Sequence, residues 1–296
     1  MGFWIADIRY IPHNISGMTI PIWKQASGTK LRIAALILVA FVGAAATRGA
    51  AFTTNATADA FVTTRPTGNL ASGNFGGAGS VGLSAPGWPQ GEFQSVLKFG
   101  LSDALSAFNT QFGAGQWSVQ SVTLQLTATT ANNPIFNSNA PGSFAIAWMQ
   151  NDSWTEGTGG PGAPGATGVT FSSLQAMFTS PADTRLGTFA FNGAASGVNA
   201  YSLGLAPGLI SDIRSGTDMS LRLFASDNAV SALFNSRNFG TAANRPLLTI
   251  VAVPESSALA MGSFGMVLIA GWRSVARTRK CGRSPQRRTD PSAAAP

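Results

Sequence analysis

The stretch Ser121-Val122-Thr123-Leu124-Gln125-Leu126-Thr127-Ala128-Thr129 decides the fold class. Val122, Leu124, Leu126 and Ala128 alternate with Ser, Thr and Gln. In an extended chain alternate side chains share a face, so this pattern describes a strand with one buried and one wet side. The threonines reinforce the choice, because branching at Cβ fits a pleated surface better than a helix.

The same period recurs outward from this segment. Phe144, Ile146 and Trp148 repeat it, as do Met219, Leu221, Leu223 and Ala225 against Ser220, Arg222 and Ser226. Leu97 and Phe99 flank Lys98 in another strand, and Ala60 to Thr63 and Leu247 to Val253 supply terminal ones. Clusters of Gly, Asn, Ser and Pro separate the runs and serve as turns. One short helix is expected from about Pro207 to Arg214, with Leu209, Ile210 and Ile213 on one face. Many short strands, few helices and 34 glycines predict an all-β chain built as a single β-sandwich. The glycine-rich run GTGGPGAPGATG from Gly157 to Gly168 is too brief for a triple helix and is expected to be a mobile surface loop.

Charge and rare residues narrow the chemistry. Residues 1–51 carry five Lys/Arg and one Asp, and residues 254–296 carry seven Lys/Arg and two acids. Residues 52–253 carry seven Lys/Arg against nine acids, so the formal charge of +7 belongs to the ends and the body is mildly acidic. The basic footprint of a nucleic-acid-binding protein is missing from that body. The one histidine is His13 and the one cysteine is Cys281, both outside it. Histidine- or cysteine-based catalysis, His/Cys zinc sites and internal disulfides are therefore excluded within residues 52–253.

The ends read as targeting segments. Lys30 and Arg32 precede the uncharged apolar run Ile33 to Ala46, and small residues follow up to Ala51. That is the order of a secretory signal peptide, with Ala46 or Ala51 as the last residue removed. Residues 18–51 are assigned to this signal helix and residues 1–17 to an upstream extension, with Met18 as an alternative start. At the other end Val253-Pro254-Glu255-Ser256 precedes an apolar run from Ala258 to Trp272 and then Arg273, Arg277, Arg279, Lys280 and Arg283. Cations directly after an apolar helix resist translocation, so residues 254–283 are expected to hold the exported chain at a membrane, with 284–296 as a polar tail.

Two resemblances follow from these residues. The tail resembles the PEP-CTERM sorting signal, in which a Val-Pro-Glu-Pro motif, a hydrophobic helix and an arginine cluster mark a protein for an exosortase-type protease. Val253, Pro254 and Glu255 match it, and Ser256 replaces the second proline. The body, over nearly all of residues 57–252, resembles the DNRLRE domain. Ala58-Asp59-Ala60-Phe61-Val62, Asn74-Phe75-Gly76, Ser95-Val96-Leu97-Lys98-Phe99, Val119 to Leu126, Asp152-Ser153-Trp154-Thr155-Glu156, Phe234-Asn235-Ser236-Arg237-Asn238 and Arg245 to Ile250 are similar to that family's motifs in order. Asn238 stands where the family usually has Glu.

The second resemblance implies a jelly-roll sandwich related to carbohydrate-binding modules. The expected function is that of an exported cell-surface or matrix protein, transiently anchored at the inner membrane. Binding of surface polysaccharide would use Trp88, Trp117 or Trp154 for stacking and Arg237 for an acidic sugar. The alternatives are a structural matrix component without a discrete ligand, and a polysaccharide-degrading enzyme using Asp152 and Glu156. The chain is read as a non-enzyme, with no catalytic residue, metal site or cofactor assigned. A structural calcium ion, held by Asp59 or by backbone carbonyls, is the one cofactor considered, with no ligand set assigned.

Overall fold

The computed structural model describes residues 49–65, 69–130, 134–177 and 183–255. Residues 1–48 of the expected extension and signal, the expected apolar tail helix, Arg273, Arg277 and Arg279 all lie outside these residues, whereas Ala50 and Ala51, assigned to the signal, are corrected to the start of β1. Eleven strands form one antiparallel sheet system: β1 Ala50–Asn55, β2 Ala58–Thr63, β3 Ser80–Ser84, β4 Phe93–Gly100, β5 Trp117–Ala128, β6 Gly142–Met149, β7 Thr184–Phe191, β8 Gly197–Leu203, β9 Asp218–Ala225, β10 Ser231–Asn235 and β11 Leu247–Pro254. Their order is β1-β11-β5-β10-β3-β4-β9-β6-β7, with β2 also paired to β4 and β8 to β5. Every strand expected from period-two alternation is present.

Two joints in this path are narrow. β10 meets β5 through Phe234 and Ala128 alone, and β3 meets β4 through Ser84 and Phe93 alone. The sheet folds over at these joints, which brings β1-β11-β5-β8 to face β2-β4-β9-β6-β7. Val122, Leu124 and Leu126 of β5 and Leu248 and Ile250 of β11 share one core with Leu97 and Phe99 of β4, Phe144 and Ile146 of β6, and Leu221 and Leu223 of β9. Removal of this continuous apolar surface from water is the main stabilising term.

The expectation of one helix is corrected to three α-helices among the described residues, α1 Ser102–Phe112, α2 Phe171–Met177 and α3 Pro207–Ser215, beside two short 3-10 turns. The third is the expected one. Pro207 stands in its first turn, and Gly216, with φ +69°, caps its end in the left-handed region where a side chain would be strained. α1 buries Ala104 and Phe108, spaced one turn apart. α2 starts at a reciprocal cap, in which Ser173 N donates to Thr170 Oγ1 and Thr170 N donates to Ser173 Oγ.

α2 covers part of the sheet face turned away from the main core. Leu174 packs there with Ala60, Val62, Val96, Met149, Trp154 and Val169. β2, β4 and β6 are therefore buried on both faces over this area. A third cluster of Phe61, Phe75, Phe93, Ile135, Phe136 and Leu233 closes one end, with the rings of Phe61 and Phe75 stacked at 5.0 Å. No helix among the described residues is long and apolar enough to cross a membrane.

Candidate functional site

Motifs scattered over nearly two hundred residues converge at this covered face. β2 contributes Asp59, the segment before β3 contributes Asn74, and β4 contributes Lys98. The chain after β6 brings Trp154 and Glu156, and the turn after β10 brings Arg237. Lys98 points away from the main core because Leu97 and Phe99 on either side point into it. Its Nζ donates to the carbonyls of Asp152 (2.6 Å) and Trp154 (2.9 Å) and lies 4.7 Å from the Trp154 ring. Trp154 in turn donates its indole N–H to Ser220 Oγ at 2.8 Å.

Asn74 is fully buried and has all of its hydrogen-bonding capacity engaged. Nδ2 donates to the carbonyls of Glu156 (2.7 Å) and Val169 (2.8 Å), while Oδ1 accepts from the N–H groups of Gly76 and Gly159, each at 3.2 Å. It thereby ties both ends of the glycine-rich run to the body. Backbone bridges of Asn74 to Gly165 and Thr170 add to this, as does the turn in which Gly160 pairs with Ala163. The expectation of a mobile surface loop is corrected: this segment is docked. Its glycines permit the close approach, since a Cβ at Gly159 would stand 1.9 Å from the Asn74 carbonyl oxygen.

Arg237 grips Glu156 in a fork. Nε lies 2.9 and 2.8 Å from the two carboxylate oxygens, and Nη2 donates to Oε2. The Glu156 side chain is 13% exposed and that of Arg237 34%, so water screens the pair only in part. These hydrogen bonds to Glu156 are the main reason why the Arg237 guanidinium holds its proton more tightly than usual. The backbone N–H of Arg237 donates to Asp59 Oδ2. Asp59 is 1% exposed, and burial pushes its carboxyl up to about 7, with the Arg237 N–H opposing and the Glu156 charge adding to the rise.

A second pair of acids stands nearby. Asp212 of α3 accepts the Trp148 indole N–H at 2.6 Å, and burial raises it to about 6, opposed by that hydrogen bond and aided by the charge of Asp152. Asp152 is itself raised, first by burial, with Ser220 and Lys98 opposing. Asp152 and Glu156, close in sequence, thus answer to different partners: Lys98 and Ser220 for one, Arg237 for the other.

The residues expected to bind ligand are placed as follows. Trp154 is 3% exposed and Trp117 is 1% exposed, so neither ring can stack on a sugar, and this part of the expectation is corrected. Trp117 packs against Phe108 and donates to Asn109 Oδ1 at 2.9 Å. The Arg237 guanidinium is engaged by Glu156 and its backbone N–H by Asp59. Trp88 remains half-buried, its indole N–H given to the Ala229 carbonyl at 3.1 Å. Around Asp59, Oδ2 accepts from the Arg237 N–H and the neighbouring carboxylate of Glu156 is taken by the Arg237 guanidinium. Among the described residues no group of three or more His, Cys, Asp or Glu side chains could hold a metal ion.

Two features escaped the sequence reading. On the open part of the outer face, the guanidiniums of Arg222 and Arg185 lie 4.7 and 5.5 Å from the Phe224 ring. Arg222 also donates Nε and Nη2 to Gln94 Oε1, at 2.8 and 2.6 Å. Its position between Leu221 and Leu223 signalled the outward direction, but nothing in one strand signals its cross-strand neighbours. The second feature is the pairing of the Val253-Pro254-Glu255 segment, expected to belong to a sorting signal. Val253 and Pro254 belong to β11, opposite Ser118 and Trp117, and Glu255 N donates to the Gln116 carbonyl at 2.9 Å. Pro254 and Glu255, expected to open the sorting segment, are thus paired with the body.

No family model and no curated protein sequence matches this chain.

Proposed function

We propose that this chain is an exported structural protein of the cell surface or extracellular matrix, whose body is a jelly-roll sandwich of the DNRLRE type. In this reading an exosortase-type protease cuts a PEP-CTERM-like tail to release it from the inner membrane. One observation carries the structural role: the motif residues Asp59, Asn74, Lys98, Trp154, Glu156 and Arg237 bind one another. Such a network fixes loops to a sheet and leaves little for a ligand. The arrangement of β1 and β11 suits export through two terminal segments. Ala50 of β1 is the register partner of Ala252 of β11, so the segments leading toward the two terminal regions run side by side.

A second reading, binding of an acidic polysaccharide, draws on the Arg185–Phe224–Arg222 surface. An aromatic ring flanked by cations suits a sugar bearing a carboxylate. Passage of the exported protein over immobilised acidic and neutral polysaccharides separates the two. Elution in the void from every column supports the structural component. Retention on the acidic columns that is lost in Arg185→Gln and Phe224→Ala supports the binding module and overturns the first reading.

A further inference from the structure

We infer that the folded body shields its own processing site, so that cleavage next to Pro254-Glu255 requires the end of β11 to detach first. The inference rests on the proposed sorting reading for the identity of the protease. The shield itself stands on geometry that any protease would meet.

Proteases take substrates as extended chain, with the backbone of the bound residues free to pair with the enzyme. Here that backbone is already paired. Val253 lies opposite Ser118, Pro254 opposite Trp117, and Glu255 N–H is held by the Gln116 carbonyl. Arg214 of α3 straps the same residues from the side: Nη1 is 3.2 Å from Glu255 Oε1, and the guanidinium is 5.9 Å from the Trp117 ring. Trp117 is locked into the core, so the partner strand does not yield.

The place of the motif in β11 explains how the site opens. The pairs of β1 with β11 run from Asn55 and Leu247 up to Ala50 and Ala252, and a Cβ at Gly49 would stand 3.3 Å from Val253 Cγ1. Pro254 and Glu255 come after these pairs, at the end of β11. A strand end opens locally at far lower cost than global unfolding. When opening and reclosing are fast, the cleavage rate follows the open fraction. Folding of the body thereby sets the pace of release, and a chain still unfolded during export is the faster substrate.

A protease that cuts after Glu tests the shield apart from the sorting reading. Purified full-length chain is treated with glutamyl endopeptidase, and the cut after Glu255 is timed by mass spectrometry. Arg214→Ala should speed that cut roughly two- to five-fold, the scale of one exposed ion pair. Ser118→Cys/Val253→Cys/Cys281→Ser places two thiols at opposed positions of an antiparallel pair, within disulfide reach. When oxidised it should slow the cut at least about tenfold, and reductant should restore the rate. Equal rates in the oxidised and reduced forms, or no acceleration in Arg214→Ala with the wild-type site already cut as fast as in urea, overturn the shield. The same variants are then expressed beside an exosortase-type protease. If they follow the expected order with glutamyl endopeptidase while the sorting protease cuts none of them, the shield holds and the sorting reading fails.

Discussion

Arg237 and Glu156, 81 residues apart in sequence, are joined by a fork of hydrogen bonds that ties the turn after β10 to the chain after β6. The contact lies over the sheet face that α2 and Trp154 cover. It turns two loops that sequence alone leaves independent into one body. Replacing Arg237 with Ala should leave Glu156 half-buried without its partner and lower stability by about 1–3 kcal/mol. Equilibrium urea unfolding measures it. In a double-mutant cycle Glu156→Gln should remove most of that cost, whereas additive losses would mean that the fork contributes little.

Asn74→Ala should be among the most damaging single changes outside the apolar core. It strips partners from two carbonyls and two N–H groups at a buried position, for a loss of roughly 3 kcal/mol or more. Limited proteolysis should then cut within residues 157–168, where the wild-type protein resists.

Two neighbouring glycines provide a sharp contrast. Gly159→Ala should destabilise strongly, since its Cβ meets the Asn74 backbone at 1.9 Å. Gly160→Ala should change stability by no more than about 0.5 kcal/mol, because its Cβ meets nothing within 4 Å and its φ is not positive. Equal melting shifts in the two variants would contradict the docked loop.

Stability should fall as pH rises from about 4 to about 7. Asp59 is raised from 3.8 to about 7 and Asp212 to about 6, so between these values the folded state binds more protons than the unfolded one. Their stabilising contribution is complete below the unfolded value and is lost as the folded groups ionise. Asp227 acts in the opposite sense: against the upward push of burial, three backbone N–H groups together hold its carboxyl below the usual range, so its contribution fades in acid. Thermal midpoints should therefore peak near pH 4–5, and Asp59→Asn should flatten the decline above that. A midpoint that rises steadily to pH 8 would contradict the protonated, buried Asp59.

The strands were legible wherever apolar residues alternate cleanly, as in Val122-Leu124-Leu126 and Leu221-Leu223. β3, with Gly82 at its centre, and β7, with Gly187 beside its register shift, break that rhythm and went unread. α1 was readable in the spacing of Ala104, Phe108 and Phe112, and α2 in the Thr170 and Ser173 cap. The polar network was legible only as a list of motifs. Its pairings, Arg237 with Glu156 and Asn74 with Gly159, join distant segments whose spacing has no period. Trp154 shows the same limit, since a tryptophan beside a glycine-rich loop looks like a ligand platform until the covering helix is in place.

The intact mass of the protein that accumulates outside a Gram-negative cell carrying an exosortase-type protease tests the central claim most directly. The account predicts one species that begins after Ala46, which keeps Ala50 and all of β1 paired with β11, and that ends beside Pro254-Glu255, without Arg273, Arg277 and Arg279. Export of a chain that still runs through Arg283 to Pro296, or retention of the whole chain inside the cell, would contradict it.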